Sequence, residues 1–140
     1  MISVLSEIGI ELLSVHYEAT LYPRRILRII DDAGMQAGLA FNPKTEIPDL
    51  SIYSPYLHFV NILTTEPEID EGVYLPHVLE KVKAIKKNVG MKDLVCEVDG
   101  GITPANISDV ISVGADIVVA GRGIFMNGDF EENIQMLKSA

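Results

Sequence analysis

Two glycine-bearing segments near the C-terminus carry the clearest chemistry in this chain: Glu97-Val98-Asp99-Gly100-Gly101-Ile102 and Gly114-Ala115-Asp116-Ile117-Val118-Val119-Ala120-Gly121-Arg122-Gly123-Ile124-Phe125. Each reads as an apolar strand that breaks into glycine where a helical segment begins. Backbone N–H groups at such turns can face an anion with no Cβ in the way. Two of them on consecutive βα units are the physical basis of the phosphate site of a (β/α)8 barrel, formed by the loops after strands 7 and 8. The pair implies both a fold and a ligand class, a sugar phosphate or similar small anion.

The rest of the chain supplies elements of the matching kind. Leu12 to Tyr17 reads as a strand ending in Glu18-Ala19-Thr20. Pro23 opens a helix over Arg24 to Ala33, with Ile26, Leu27, Ile29 and Ile30 as its apolar face and Gly34 closing it. Ala37 to Phe41 and Phe59 to Thr64 are strands, with a short helix between Ile47 and Ser54 and a long acidic loop through Gly72. A helix from Pro76 carries Val78, Val82 and Ile85 at i, i+4 and i+7, with lysines on its other face and Gly90 at its end. Leu94 to Val98 is a strand, Thr103 an N-cap, Pro104 an N1 residue, and Ile107, Val110 and Ile111 a buried stripe. Ile117 to Ala120 and Phe130 to Ser139 complete the pattern as strand and helix.

Strands alternating with helices over short connections mean a parallel sheet with right-handed crossovers. The expectation is one α/β domain over residues 1–140, a partial barrel of about five βα units. A closed barrel needs eight units and typically about 250 residues. An opening directly into a partial helix, Ser3 to Ile8, reads as a cut through a longer protein.

Composition narrows the class. Hydrophobic residues make up 48% of the 140, enough for a real core, yet no apolar run is long enough to span a membrane. The first residues lack a signal peptide's basic flank and cleavage site, so the expectation is a soluble cytoplasmic protein. A net charge of −9 argues against broad binding to nucleic acid or anionic membrane. Cys96 is the one cysteine, and its apolar strand makes it a buried, inert thiol.

In order and spacing, these segments resemble the ribulose-phosphate 3-epimerase family of ribulose-phosphate-binding barrels. Val15-His16-Tyr17-Glu18-Ala19-Thr20 is similar to the family's fourth-strand signature, and Gly34 through Thr45 to its fifth. Val98 to Ile102 resembles the seventh and Gly121 to Phe125 the eighth. The resemblance implies proton transfer at C3 of a ketose phosphate through a cis-enediolate, assisted by a divalent metal (zinc, iron, manganese or cobalt). It makes Asp99 one catalytic acid/base and a metal ligand, and Gly100, Gly101, Gly121 and Arg122 the phosphate site. The competing reading of Asp99 is a cap for the helix after it. Arg122 stands where the epimerases usually carry serine; it either adds a bidentate phosphate contact or projects into solvent.

Two departures accompany the match. The family's sixth-strand loop, Met-Thr-Val-Asn-Pro-Gly-Phe-Gly-Gly-Gln, reads here Leu63-Thr64-Thr65-Glu66-Pro67-Glu68-Ile69-Asp70-Glu71-Gly72, with carboxylates in place of glycines. These repel a phosphate dianion, which points to altered specificity or lost activity. The chain also has no counterpart of strands one to three, which carry the family's second aspartate and metal-binding histidines. Asp99 alone does not make a tight site, since a catalytic zinc takes about three protein ligands.

The other candidates have bland readings. His16 and Glu18 share strand parity and form a polar interior pair, with substrate contact as the second reading. His58 sits at a strand start in solvent, His77 on the surface, and Lys44 near the active-site end as a lone surface cation. Lys81, Lys83, Lys86 and Lys87 form a solvated helix face. Three functional expectations follow: the C-terminal portion of an epimerase-like enzyme, inactive by itself; a non-catalytic sugar-phosphate-binding module; or another phosphate-binding barrel enzyme, an aldolase or decarboxylase. Unpaired edge strands add the expectation of a homo-oligomer.

Overall fold

The computed structural model describes residues 1–67, 72–88 and 90–139, the side chain of Asn127 excepted. Five parallel strands lie in chain order: β1 (Leu12–His16), β2 (Gln36–Phe41), β3 (Phe59–Leu63), β4 (Val95–Asp99) and β5 (Ile117–Val119). The helices are α1 (Ile2–Glu7), α2 (Pro23–Asp32), α3 (Leu79–Lys87), α4 (Ile107–Ser112), α5 (Gly121–Phe125) and α6 (Phe130–Lys138). No helix among the described residues is long and apolar enough to cross a membrane.

Register sorts the strand residues onto two faces, because successive side chains alternate. Leu13 and Val15, then Ala37, Leu39 and Phe41, Val60 and Ile62, Cys96 and Val98, and Val118 share one face; all are in the buried core except Leu13, Val15 and Val118, which are partly buried and pack against it. Leu27 and Ile30 of α2, Val82 and Ile85 of α3, Val110 of α4 and Leu137 of α6 pack into the same cluster. The opposite face carries Ser14, His16, Asn61, Glu97, Asp99, Ile117 and Val119. In a closed barrel that face is the interior.

Several local expectations are corrected. The segment from Ile47 to Ser54 forms only a 3-10 turn over Leu50–Tyr53, capped by the Asp49 carboxylate. Ile29 and Ile111, expected on buried stripes, are 41% and 44% exposed, so the buried stripes of α2 and α4 are narrower than the sequence periodicity implied. Thr103 does not cap α4. The helix starts at Ile107, and Asn106 holds the turn before it, its amide accepting from Thr103 N and donating to Gly101 O. A short polar side chain bonding to nearby backbone competes with helix formation in this way.

Candidate active site at the ends of β4 and β5

Asp99 is the last residue of β4 and projects from the open face of the sheet. It is half-buried, and burial pushes its carboxyl above the usual aspartate range, offset in part by a hydrogen bond with the Gly100 backbone. Two places earlier on the same face, Glu97 is also pushed up, by burial first and then by the charge of Asp99. The strand then turns through Gly100 at φ 117° and Gly101 at φ 67°, a region that disfavours side chains. A Cβ on Gly100 would come within 2.9 Å of the Thr65 backbone nitrogen.

Fully buried Thr64 holds this turn. Its hydroxyl donates to Asp99 O at 3.1 Å and Gly100 O at 2.6 Å, and its N–H donates to Asp99 O at 2.7 Å. In the sequence Thr64 is only the end of a strand. The signal available was a hydroxyl at the end of an otherwise apolar strand, where a buried oxygen needs partners.

The second turn follows β5. Gly121 opens α5, and the space beside its Cα is open. Gly123, by contrast, is a close-packing position, where a Cβ would collide with Ile102 O and press on Thr103 Cα. The two glycine turns therefore pack directly on each other. Arg122 is exposed, and its Nη2 donates to Gly72 O at 3.0 Å. A cavity of about 420 Å³ opens here, lined by Gly101, Arg122, Gly72, Tyr74, Thr103 and Phe125 among others. Asp99, Gly100 and Gly121 lie outside that lining. The Tyr74 hydroxyl is buried with no hydrogen-bond partner among the described residues, and burial, then Asp109, raises its pKa. Most of the acidic loop, residues 68–71, lies outside the described residues.

The remaining candidates divide. His16 closes β1 on the open face, whereas Glu18 lies in a 3-10 turn beyond the strand; the two meet at 3.3 Å. Glu18 also accepts from Asn42 N at 2.9 Å. Burial raises its pKa, but hydrogen bonds from Thr45, the Asn42 backbone and His16 outweigh that and leave it lowered. His77 and Lys44 are exposed, and Cys96 is fully buried with its thiol pushed up to about 11 by burial.

His58 is exposed just before β3, with Nδ1 accepting from Ala37 N at 3.1 Å and Nε2 3.6 Å from Asp31. The expectation of a uniformly solvated lysine face fails. Lys81 donates to the carbonyls of Asn42, Pro43 and Thr45, and Lys86 to Leu94 O and Asp116. Both staple loops to α3. Among the described residues no three His, Cys, Asp or Glu side chains converge to hold a metal, so the residues here do not by themselves fit a divalent site.

Comparison with known proteins bears on the family and the fold. The family model "Ribulose-phosphate 3 epimerase family" matches residues 1–125. The ribulose-phosphate 3-epimerase of Buchnera aphidicola is 30% identical over 140 residues, covering 99% of this chain and 61% of its own length. That of Aquifex aeolicus is 32% identical, with 95% and 61% covered, and that of Escherichia coli K12 is 30% identical, with 94% and 59% covered. The chain thus spans about three-fifths of the curated relatives it matches. In fold it is similar to a 3-hexulose-6-phosphate synthase (TM-score 0.71, 17% identity, 99% of this chain and 65% of that one). The Pyrococcus furiosus tryptophan synthase alpha-subunit is comparable (TM-score 0.70, 13% identity, 99% and 59%). Five parallel strands in barrel order, glycine turns at their C-terminal ends and a family match over most of its length place this chain in the ribulose-phosphate 3-epimerase family.

Proposed function

We propose that this chain forms the C-terminal, phosphate-holding part of an epimerase-type active site acting on a ketose phosphate. The observation that carries this reading is the half-buried Asp99 carboxylate beside the Gly100-Gly101 turn, two positions before Gly101, which lines the cavity with Arg122. In this reading Gly100, Gly101, Gly121 and Arg122 bind the phosphate through N–H groups and one guanidinium. Asp99 takes the proton from C3 of the ketose, leaving an enediolate, and an acid on the opposite face returns one with inversion. A carboxyl raised by burial is a better base than an exposed one and sits nearer neutral pH. No step is assigned to a metal, because the described residues do not build its site.

Arg122 must leave Gly72 O, or share its donors, to reach a phosphate. Its five donors allow sharing. Turnover belongs to a protein that supplies the opposite acid; this chain alone binds without turning over, and a cytoplasmic setting belongs to the same proposal. Calorimetric titration with ribulose 5-phosphate tests the binding half, with heat expected and a loss of about tenfold in affinity for Arg122→Ala. No heat and no thermal stabilisation defeats it. Deuterium wash-in at C3 by the isolated chain would instead defeat the claim that a second acid is needed.

A further inference from the structure

A second cleft lies outside the sheet, between α2 and the 3-10 turn at Leu50–Tyr53, away from the β4 and β5 turns. Its volume is about 550 Å³, and Tyr22, Arg24, Arg25, Arg28, Tyr53 and Tyr56 provide most of its lining, with no acidic residue among the rest. The chain has four arginines and a net charge of −9, so three of four in one cleft form a local positive field against the overall charge.

The helix explains the grouping. Pro23 starts α2, which puts Arg24 and Arg28 one turn apart on the same side, with Arg25 beside them. The Arg24 guanidinium lies 5.9 Å from the Tyr56 ring centroid. Arg28 pairs with Asp32 at 3.4 Å, but both side chains are more than 60% exposed, so water screens the pair. No described carboxylate lies within ion-pair distance of Arg24 or Arg25. Tyr53 is buried at the cleft, whereas Tyr22 leaves 67% of its surface to solvent.

We propose that this cleft binds a nucleoside diphosphate or triphosphate, with its phosphates on the three arginines and its base stacked on Tyr22. Guanidinium forks match phosphate oxygens in geometry and charge, and three held on one turn of helix repel one another until an anion arrives. An aromatic ring with an exposed face accepts any nucleobase. The volume falls in the range of small-ligand sites, roughly 300–1,000 Å³. An extended nucleic acid is disfavoured because the acidic remainder of the molecule repels a long phosphate chain.

The test is calorimetry on the 140-residue chain at low salt with ADP, ATP and tripolyphosphate. ADP and ATP bind, and Arg25→Ala with Arg28→Ala weakens both by about tenfold or more. Tyr22→Ala weakens ADP while leaving tripolyphosphate unchanged, and Arg122→Ala leaves ADP unchanged. Arg25→Glu, at an exposed position, replaces the double variant if its melting temperature falls. Absence of heat at millimolar nucleotide overturns the proposal, as does unchanged affinity in the arginine variants. Loss of affinity only in Arg122→Ala would send the phosphates to the β5 turn and overturn it too. Binding of a polyglutamate peptide in place of ADP would make the cleft a protein-docking surface and reject the nucleotide.

Discussion

Asp99 combines two demands that oppose each other. Burial raises its pKa, so at neutral pH the folded chain carries a carboxylate it would rather protonate. A group with a raised folded pKa adds stability that is present below its unfolded value and lost as pH rises through the folded one. Asp99→Asn, which cannot ionise, therefore melts higher than the parent chain at pH 7, and the gap closes below about pH 4. Thermal melts of both proteins across that range check it; a constant gap, or a less stable variant, contradicts the reading. Gly123 is the structural counterpart. Because a Cβ there strikes Ile102 O, Gly123→Ala should cost about 1–3 kcal/mol in urea unfolding. A neutral result would mean that the two turns can separate.

At the level of elements, polar staples fix how the loops meet the sheet. Asp116 accepts from Lys86 at 2.6 Å and from Cys96 N at 2.7 Å, joining α3 to the start of β4. Burial raises its pKa, yet these two partners more than offset that and leave it lowered. Its contribution is then present above the unfolded aspartate value and lost as pH falls below about 4. Asp116→Ala leaves the Cys96 N–H without its partner, and a loss of about 1–3 kcal/mol is expected by chemical denaturation at pH 7, shrinking in acid. Lys81 plays a similar part for the loop after β2 through its three carbonyl contacts. Neither staple was legible in the sequence: Lys81 and Lys86 have the spacing of a solvated helix face, and their acceptors lie 8 to 39 residues away. Periodicity reports which side of a helix is apolar, not what a long cation reaches.

For the whole molecule, the sheet ends at β1 and β5, each with one neighbour among the described residues, and Leu12 and Val119 on the open face are 39% and 38% exposed. Unpaired edges and half-covered apolar residues favour association. The chain is accordingly expected to sediment as a dimer or larger species at micromolar concentration. A monodisperse monomer in light scattering rejects this. Serine at Leu12 and Val119 should shift the assembly toward monomer with little change in melting temperature.

The strands, helix starts and two glycine turns were readable from the sequence because local chemistry sets them, and the family from the resemblance of their ordered motifs. Apolar strands, Pro23 at a helix start and glycines at positive φ act within a few residues. What each residue does at the turns was decided only in three dimensions. Two neighbouring glycines read alike in sequence, yet Gly121 faces open space while Gly123 is wedged against Ile102. Arg122, equally able to meet a phosphate or solvent on paper, is held by Gly72, and silent Thr64 secures the Asp99 turn. The division follows from range. Backbone conformation is encoded by neighbours in sequence, whereas contacts between β3, β4 and α5 exist only once the parallel sheet has brought distant segments together.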